Sequence, residues 1–413
     1  MRAPPSLDPL IPVSLESGIP IRELPPALRG LLRIAAHVRF GAIEIVLPGG
    51  RALRLSGLEP GPEATIVLRD VDALARRLAL KGDVGFAEAY AAGSFDSPDL
   101  TALFTLLALN REAVEAALPQ GWRAALLRVV RAVLARNTRS RARRNAAAHY
   151  DLGNAFYAAW LDEGMTYSAA LFGPGDDLEA AQARKHRALA DAVDLSPEHR
   201  VLELGCGWGS FATFAAREIG CRVVAVTASA EQARLARERV AAEGLADRVE
   251  VRLADYRDVA GAFDRVVAIE MIEAVGEAHW PAFYRTLRER LVPGGLAGLQ
   301  VITVRDDLFP AYRREHGFIR AQVFPGGMLP SPGALRREEA AAGFLRRGER
   351  AFGADYARTL VEWRLRFRNA WPDLSGGRFD ERFRRRWEYY LAYCEAGFRT
   401  GTIDVRRVAL ERI

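Results

Sequence analysis

From residue 201 onward, short apolar runs alternate with stretches of helical period. VLEL leads into FATFAARE, RVVAVTA into EQARLARERVAAEG, and DRVVAIE into PAFYRTLRERL and GLAGLQVITV, with VEVRLAD between them. Apolar runs of this length read as strands buried on both faces. Their alternation with helices is the βαβ rhythm of an α/β fold with a mostly parallel, doubly wound sheet. Upstream, residues 33–70 alternate apolar and polar positions around Pro-Gly-Gly and Pro-Gly-Pro turns, which predicts a small β-rich unit. DVDALARRLAL and SPDLTALFTLLALNREAVEAAL then read as helices, the second opened by a Ser-Pro start signal. Residues 305–413 read as mostly helical, broken by the turn cluster FPGGMLPSPG. The pattern divides the chain into a small α+β domain at 1–122, a linker at 123–147 and a larger domain at 148–413.

Composition narrows this picture. Half of the 413 residues are hydrophobic, enough for a large core and two domains or more. No run of about 18 uncharged apolar residues exists to form a membrane span. The N-terminal MRAPPSLDPLIPVSLESG puts proline where a signal peptide needs an unbroken apolar helix. Cys206, Cys221 and Cys394 neither pair evenly nor show metal-ligand spacing, so a reduced cytoplasmic chain with no metal is expected.

The net charge of +6 is unevenly placed. Arg123, Arg128, Arg131, Arg136, Arg139, Arg141, Arg143 and Arg144 crowd one stretch, with Leu126, Leu127, Val129, Val130, Val133 and Leu134 among the first of them. This resembles a basic amphipathic helix running into a basic tail, suited to anionic headgroups. A solvated arginine face is the plain alternative. Nucleic acid is not expected as a partner, because the stretch lacks interleaved aromatic residues. The membrane reading places the chain peripherally on the inner face of the cell membrane.

The sharpest chemical signal is VLELGCGWG at 201–209: a strand, an acidic residue, then Gly205, Gly207 and Gly209 before a helix. A dinucleotide fingerprint would need a third glycine where Ser210 stands, and an acidic ribose hook where Thr227 closes the next strand. With Glu203 the loop instead reads E-x-G-x-G-x-G. It resembles motif I of class I S-adenosylmethionine (SAM)-dependent methyltransferases; the alternative is a tight strand–helix turn without a ligand. Cys206 needs only to be small there.

Further blocks make the resemblance specific. AHYDLGNAFYAAWLDEGMTYSAALF at 148–172 is followed in order by VLELGCGWGSFATFAA, VTASAEQ, ADYRD, AIEMIEAVG, FIRAQVFPGGMLPS, FGADYARTL and YYLAYCEAGF. This order is similar to that of the cyclopropane-fatty-acyl-phospholipid synthases over roughly residues 80–410, with GFAEAYAAGSFDSPDL resembling the N-terminal domain of the longer members. The resemblance implies a Rossmann-like methyltransferase domain over 148–413 with acyl-chain-binding helical elements. It leaves the N-terminal domain to bind lipid or brace a homodimer.

The resemblance also implies a cofactor shell. Gly205, Gly207 and Gly209 allow close backbone approach. Thr227, Ser229 and Gln232 match T-x-S-x-x-Q and could bond the ribose and amino-acid end of SAM. Asp255 and Tyr256 stand where the family stacks an aromatic beside adenine, Ile269 ends the next strand, and Tyr167 and Ser168 match the lid over the methionine carboxylate. The bland alternatives are helix caps for Thr227 and Ser229 and a core position for Tyr256.

The implied reaction adds the sulfonium methyl to a double bond of an unsaturated phospholipid acyl chain, then removes a proton from the resulting cation. Members of the family that close a cyclopropane ring use bicarbonate for that proton, held by a cysteine, a glutamate, a histidine and a tyrosine. Glu273 and Tyr356 match the glutamate and the tyrosine of that set, but Ala169 replaces the cysteine and Gln300 the histidine. Gln300 donates hydrogen bonds but cannot exchange a proton near neutral pH. The bicarbonate shell is therefore incomplete, and a methyl- or methylene-branched product competes with the ring. A helix-start charge is the plain reading of Glu273, and a structural hydrogen bond that of His149. Two rival readings are a methyltransferase for a small soluble substrate and a non-catalytic lipid binder.

If the basic stretch binds membranes, anionic vesicles should sediment the protein at low salt and release it as salt shortens electrostatic reach to about 10 Å at 0.1 M. Reversing Arg139, Arg141, Arg143 and Arg144 to glutamate should abolish this sedimentation, and unchanged sedimentation would refute the membrane reading.

Overall fold

The computed structural model describes residues 24–117 and 152–413, apart from His316 and Gly377. The basic stretch at 123–144 and His149 lie outside the described residues. The chain forms two units.

In the first unit, strands β1 (Phe40–Val46), β2 (Ala52–Ser56), β3 (Glu59–Leu68) and β4 (Phe95–Asp96) form a sheet in the order β2-β1-β3-β4. β1 pairs antiparallel with β2 and parallel with β3. Alternating burial along β2 and the end of β3 bears out the period-2 reading of this region, although residues 33–35 close the helix Pro26–Ala35 instead. The helix Leu100–Leu109 starts at Asp99, two residues beyond the serine of the Ser-Pro signal, because the Asp99 carboxylate accepts the Ala102 N–H at 3.0 Å.

This unit also takes in residues 375–400, which the sequence reading had assigned to the larger domain. The reason lies in the helix Glu381–Arg399. Tyr389 packs against Phe104 with ring centroids 4.6 Å apart, and against Tyr90 at 5.9 Å. Thr101 Oγ1 donates to the fully buried Glu395 at 2.9 Å, and Arg385 Nε donates to the Tyr90 carbonyl at 2.7 Å.

The second unit carries β5 (Arg200–Leu204), β6 (Arg222–Thr227), β7 (Val249–Leu253), β8 (Phe263–Ile269), β9 (Leu291–Val304), β10 (Phe344–Ala351) and β11 (Ile403–Arg412). They form one sheet in the order β10-β11-β9-β8-β5-β6-β7. The run from β9 to β7 is parallel, as the βαβ rhythm predicts. Period-2 alternation fills two helical layers. Leu202, Val224 and Val266 enter one core, and their neighbours Val201, Val223 and Val267 enter the other.

β10 and β11 depart from the expected mostly helical 305–413 region and pair antiparallel. Their sequence signal is masked because β10 is an edge strand whose charged residues pair with one another and with neighbours, as Arg346 does with Glu339 at 2.6 Å. Strand order reverses between β5 and β8. Doubly wound sheets bind ligands at the carboxyl ends of the strands flanking such a reversal.

The first unit depends on Asn110. Its Oδ1 accepts the N–H groups of Arg39 and Phe40 at 2.7 and 2.9 Å, and its Nδ2 donates to the carbonyls of Phe40 and Leu106 at 2.9 and 2.8 Å. Asn110→Asp keeps the acceptors and loses both donors. It should lower unfolding free energy by on the order of 2 kcal/mol in urea titration, and an unchanged midpoint would refute the role.

Candidate active site

At the carboxyl ends of β5, β6 and β8 lies a cavity of about 220 Å³. Its floor is the glycine loop, where Gly205, Gly207 and Gly209 have φ of 77°, 53° and 86°. A Cβ on Gly207 would meet no protein atom within 4 Å, so its left-handed backbone is turned into open space. Gly209 does not line the cavity. It lets the following helix approach Ala236, whose Cβ would lie 3.2 Å from an added Cβ.

The remaining residues expected to hold the cofactor line this cavity: Tyr167, Ser168, Thr227, Ser229, Gln232, Asp255, Tyr256 and Ile269. Several also have structural duties. Ser229 caps the helix Ala230–Ala242, and Thr227 Oγ1 donates to Gln232 Oε1 at 2.8 Å, so the capping alternative and the cavity position hold together. Asp255 is clamped by Arg257, whose Nε and Nη2 donate at 2.7 and 2.6 Å. Tyr167 sits in an aromatic wall, with ring centroids 5.4, 5.6 and 5.2 Å from Tyr157, Trp160 and Trp363.

Two charged groups on the wall had not been anticipated as site residues. Lys185 is buried and donates to Ser168 Oγ at 2.9 Å. Burial pushes its pKa down to about 8, against the pull of Glu270, Asp162 and Glu203. Its sequence signal is a lysine four residues from both Ala181 and Leu189 on a buried helical face. Glu203 is also buried, with Oε2 lacking any hydrogen-bond partner among the described residues, and burial pushes its pKa up to about 8. An orphaned acceptor beside a glycine floor and an aromatic wall fits SAM, which is cationic and carries both an amino-acid end and an adenine.

A second cluster joins two of the three residues expected to be catalytic to a different carboxylate. Tyr356 and Gln300 do converge on a carboxylate, but it belongs to Glu270 and not to Glu273. Tyr356 Oη donates to Glu270 Oε2 at 2.8 Å; Gln300 Nε2 and the Ala169 N–H both donate to Oε1 at 2.8 Å. Glu270 directly follows β8 and lines the cavity. Glu273 lies three residues on, in the short helix Ile272–Val275. Its Oε1 accepts the Ile302 N–H at 2.6 Å and its Oε2 has no hydrogen-bond partner among the described residues. Burial, then the neighbouring Glu270 charge, pushes Glu273 up to about 8, so it carries its proton at neutral pH. Burial also raises Glu270 above the ordinary carboxylate range, opposed by its three donors and Lys185. The signal for Glu270 was its place at the strand's carboxyl end, which the motif match to Glu273 obscured.

This geometry can hold a cationic cofactor beside an aromatic wall and present a hydrogen-bonded carboxylate to the same cavity. Known proteins with related sequences supply the rest. The sequence model of the mycolic acid cyclopropane synthetase family matches residues 137–408. A tuberculostearic acid methyltransferase of Mycobacterium tuberculosis is 40% identical over 94% of this chain and 91% of its own. The cyclopropane-fatty-acyl-phospholipid synthase of Escherichia coli K12 is 34% identical over 82% and 85%. The crystal structure of a mycolic acid cyclopropane synthase, CmaA1, complexed with SAH and CTAB superposes with a TM-score of 0.60 at 28% identity, covering 65% of this chain and 98% of that one. The chain belongs to the mycolic acid cyclopropane synthetase family, and it is a SAM-dependent enzyme that methylates or cyclopropanates fatty acyl chains.

Proposed function

We propose that this enzyme methylates the cis double bond of an unsaturated acyl chain carried by a membrane phospholipid, and that Glu270, Tyr356 and Gln300 form its proton-accepting cluster. The observation that carries this reading is the shared wall: Glu270 lines the cofactor cavity and is held by Tyr356 and Gln300. When bound, SAM supplies an electrophilic methyl group.

The chain's own residues then have three tasks. The glycine loop and its polar rim align the reactants. Tyr167 lines the cavity with Tyr157, Trp160 and Trp363 packed behind it, and its face excludes water and stabilises positive charge on the acyl chain. The carboxylate cluster accepts the proton that the cation must lose. The E. coli synthase acts on phospholipid, as its name states, which favours a lipid-borne substrate over a small soluble one.

A methylene-branched chain is the product favoured over a ring. The tuberculostearic acid methyltransferase aligns over 94% of this chain, and Ala169 and Gln300 replace two members of the ring-closing shell. A saturated methyl branch would need a further two electrons from a reductant. Proton NMR of phospholipid with a single cis double bond after turnover should show vinylic methylene signals. Strongly shielded ring protons would reverse the product assignment, and label transfer only to small molecules would reject the lipid substrate.

Turnover should also separate the two glutamates. Glu270→Gln should lower kcat by about 10²–10⁴-fold, the usual loss for a proton-transfer group, with SAM affinity kept. Glu273→Gln should cost less than about tenfold, and the reverse order would restore Glu273 as the base. A base with a raised pKa protonates early on acidification, so kcat should fall with decreasing pH from above the ordinary carboxylate range.

Glu273 should show itself in stability instead. The folded state holds its proton to about pH 8, whereas an unfolded carboxylate releases it near its ordinary value of 4.5. Between these values the folded state binds more protons, so this group's contribution to stability falls as pH rises. Glu273→Gln, which has nothing to ionise, should gain stability relative to wild type across that window in denaturant titrations at both ends.

A further inference from the structure

We propose that Glu270 is a built-in replacement for a free oxyanion, so that the proton leaves the acyl cation onto the protein's own carboxylate without bicarbonate. This rests on the reaction proposed above and identifies its base.

Three donors from separate parts of the chain converge on this one carboxylate: the backbone N–H of Ala169, the amide of Gln300 on β9 and the hydroxyl of Tyr356 on the helix Gly353–Leu374. A main-chain N–H, an NH2 and an O–H are the fittings of a seat for a planar trigonal oxyanion. None of them is a base at neutral pH. The two oxygens of Glu270 fill the seat, which leaves the side chain's own carboxylate as the acceptor facing the cavity.

The backbone points the same way. Glu270 has φ of 50°, a left-handed conformation that is strained for a non-glycine residue. Its N–H is tied to the Gln300 carbonyl at 2.7 Å, which fixes that conformation against β9. A glycine would sit there without strain and leave the seat empty. A glutamate in a place suited to glycine, with its carboxylate reaching back into a ring of donors, marks a side chain retained for its chemistry.

The step balances. For a methylene branch, a hydride first shifts from the methyl-bearing carbon to the neighbouring cationic carbon, a methyl C–H bond breaks, and its electron pair becomes the second bond of the methylene group. For a ring, the methyl C–H pair closes directly onto the cationic carbon. The proton goes to a Glu270 oxygen and returns to solvent before the next turnover. No oxidant or reductant is required.

Glu270→Gly vacates the seat while relieving the backbone. The variant should bind SAM with wild-type affinity by calorimetry and lose kcat by about 10²–10⁴-fold. Added formate or bicarbonate should restore at least tenfold of that loss, saturably. The carbon-13 resonance of labelled formate should broaden with the variant and not with the wild type. In carbon-dioxide-free buffer the wild type should keep full activity.

Loss of wild-type activity on bicarbonate removal would overturn the proposal, whether or not the variant folds. So would a folded, SAM-binding variant that keeps full turnover without anions or shows no rescue by them. Failure of the underlying function looks different: wild-type enzyme that binds SAM and transfers no methyl group to lipid.

Discussion

A carboxylate facing a low-dielectric interior must be surrounded by donors or give up its charge, and Glu270 sets where its neighbours lie. Its oxygens hold the loop at Ala169, β9 at Gln300 and the long helix at Tyr356, while its backbone is pinned to β9. Lys185 contributes a cation that acts on Glu270 and bonds the loop again through Ser168. The segments closing over the reaction space thus converge on one acid. Ser168 on the cofactor cavity and the proposed base therefore belong to neighbouring parts of one hydrogen-bonded network.

The charges around the cavity are balanced by proton sharing more than by ion pairing. Glu203 and Glu273 are raised to about 8 and Lys185 is lowered to about 8 by burial. Near neutrality this leaves two carboxyls largely protonated beside an ammonium that still carries most of its charge. A positively charged cofactor entering such a site meets acceptors that can ionise in response. This fits a site that must hold a cation before reaction and a neutral product after it.

Much of this could be read from the chain. The parallel core, the glycine loop and the polar rim at 227–232 follow from period, spacing and motif, because each is local in sequence. What escaped reading was non-local. Glu270 and Glu273 lie three residues apart, and motif matching favours the second. Only the end of β8 and the register of Ile269 against Gln300 show which carboxylate reaches the cluster. β10 hid because an edge strand buries little and is written in arginine and glutamate. The helix at 381–399 carries a strong apolar face, yet nothing in that face says which unit it covers. Lys185 is the converse case: its position on a buried helical face marks it as unusual, but its partners come from the rest of the fold.

The path of the chain carries a consequence for its synthesis. The first unit is completed by residues 375–400, and the second by β11, which follows them. Neither unit can therefore finish folding as a contiguous piece emerging from the ribosome, as N-terminal domains generally do. The first unit's sheet and helices, with Tyr90 and Phe104 still uncovered, must wait for the helix that Tyr389 anchors until residues 375–400 have been made. A ribosome stalled before residue 375 would hold two unfinished cores, one exposing aromatic side chains and the other an open sheet edge at β9. Exposed aromatic surface and unpaired strand edges of this kind are what make partly folded chains prone to aggregation.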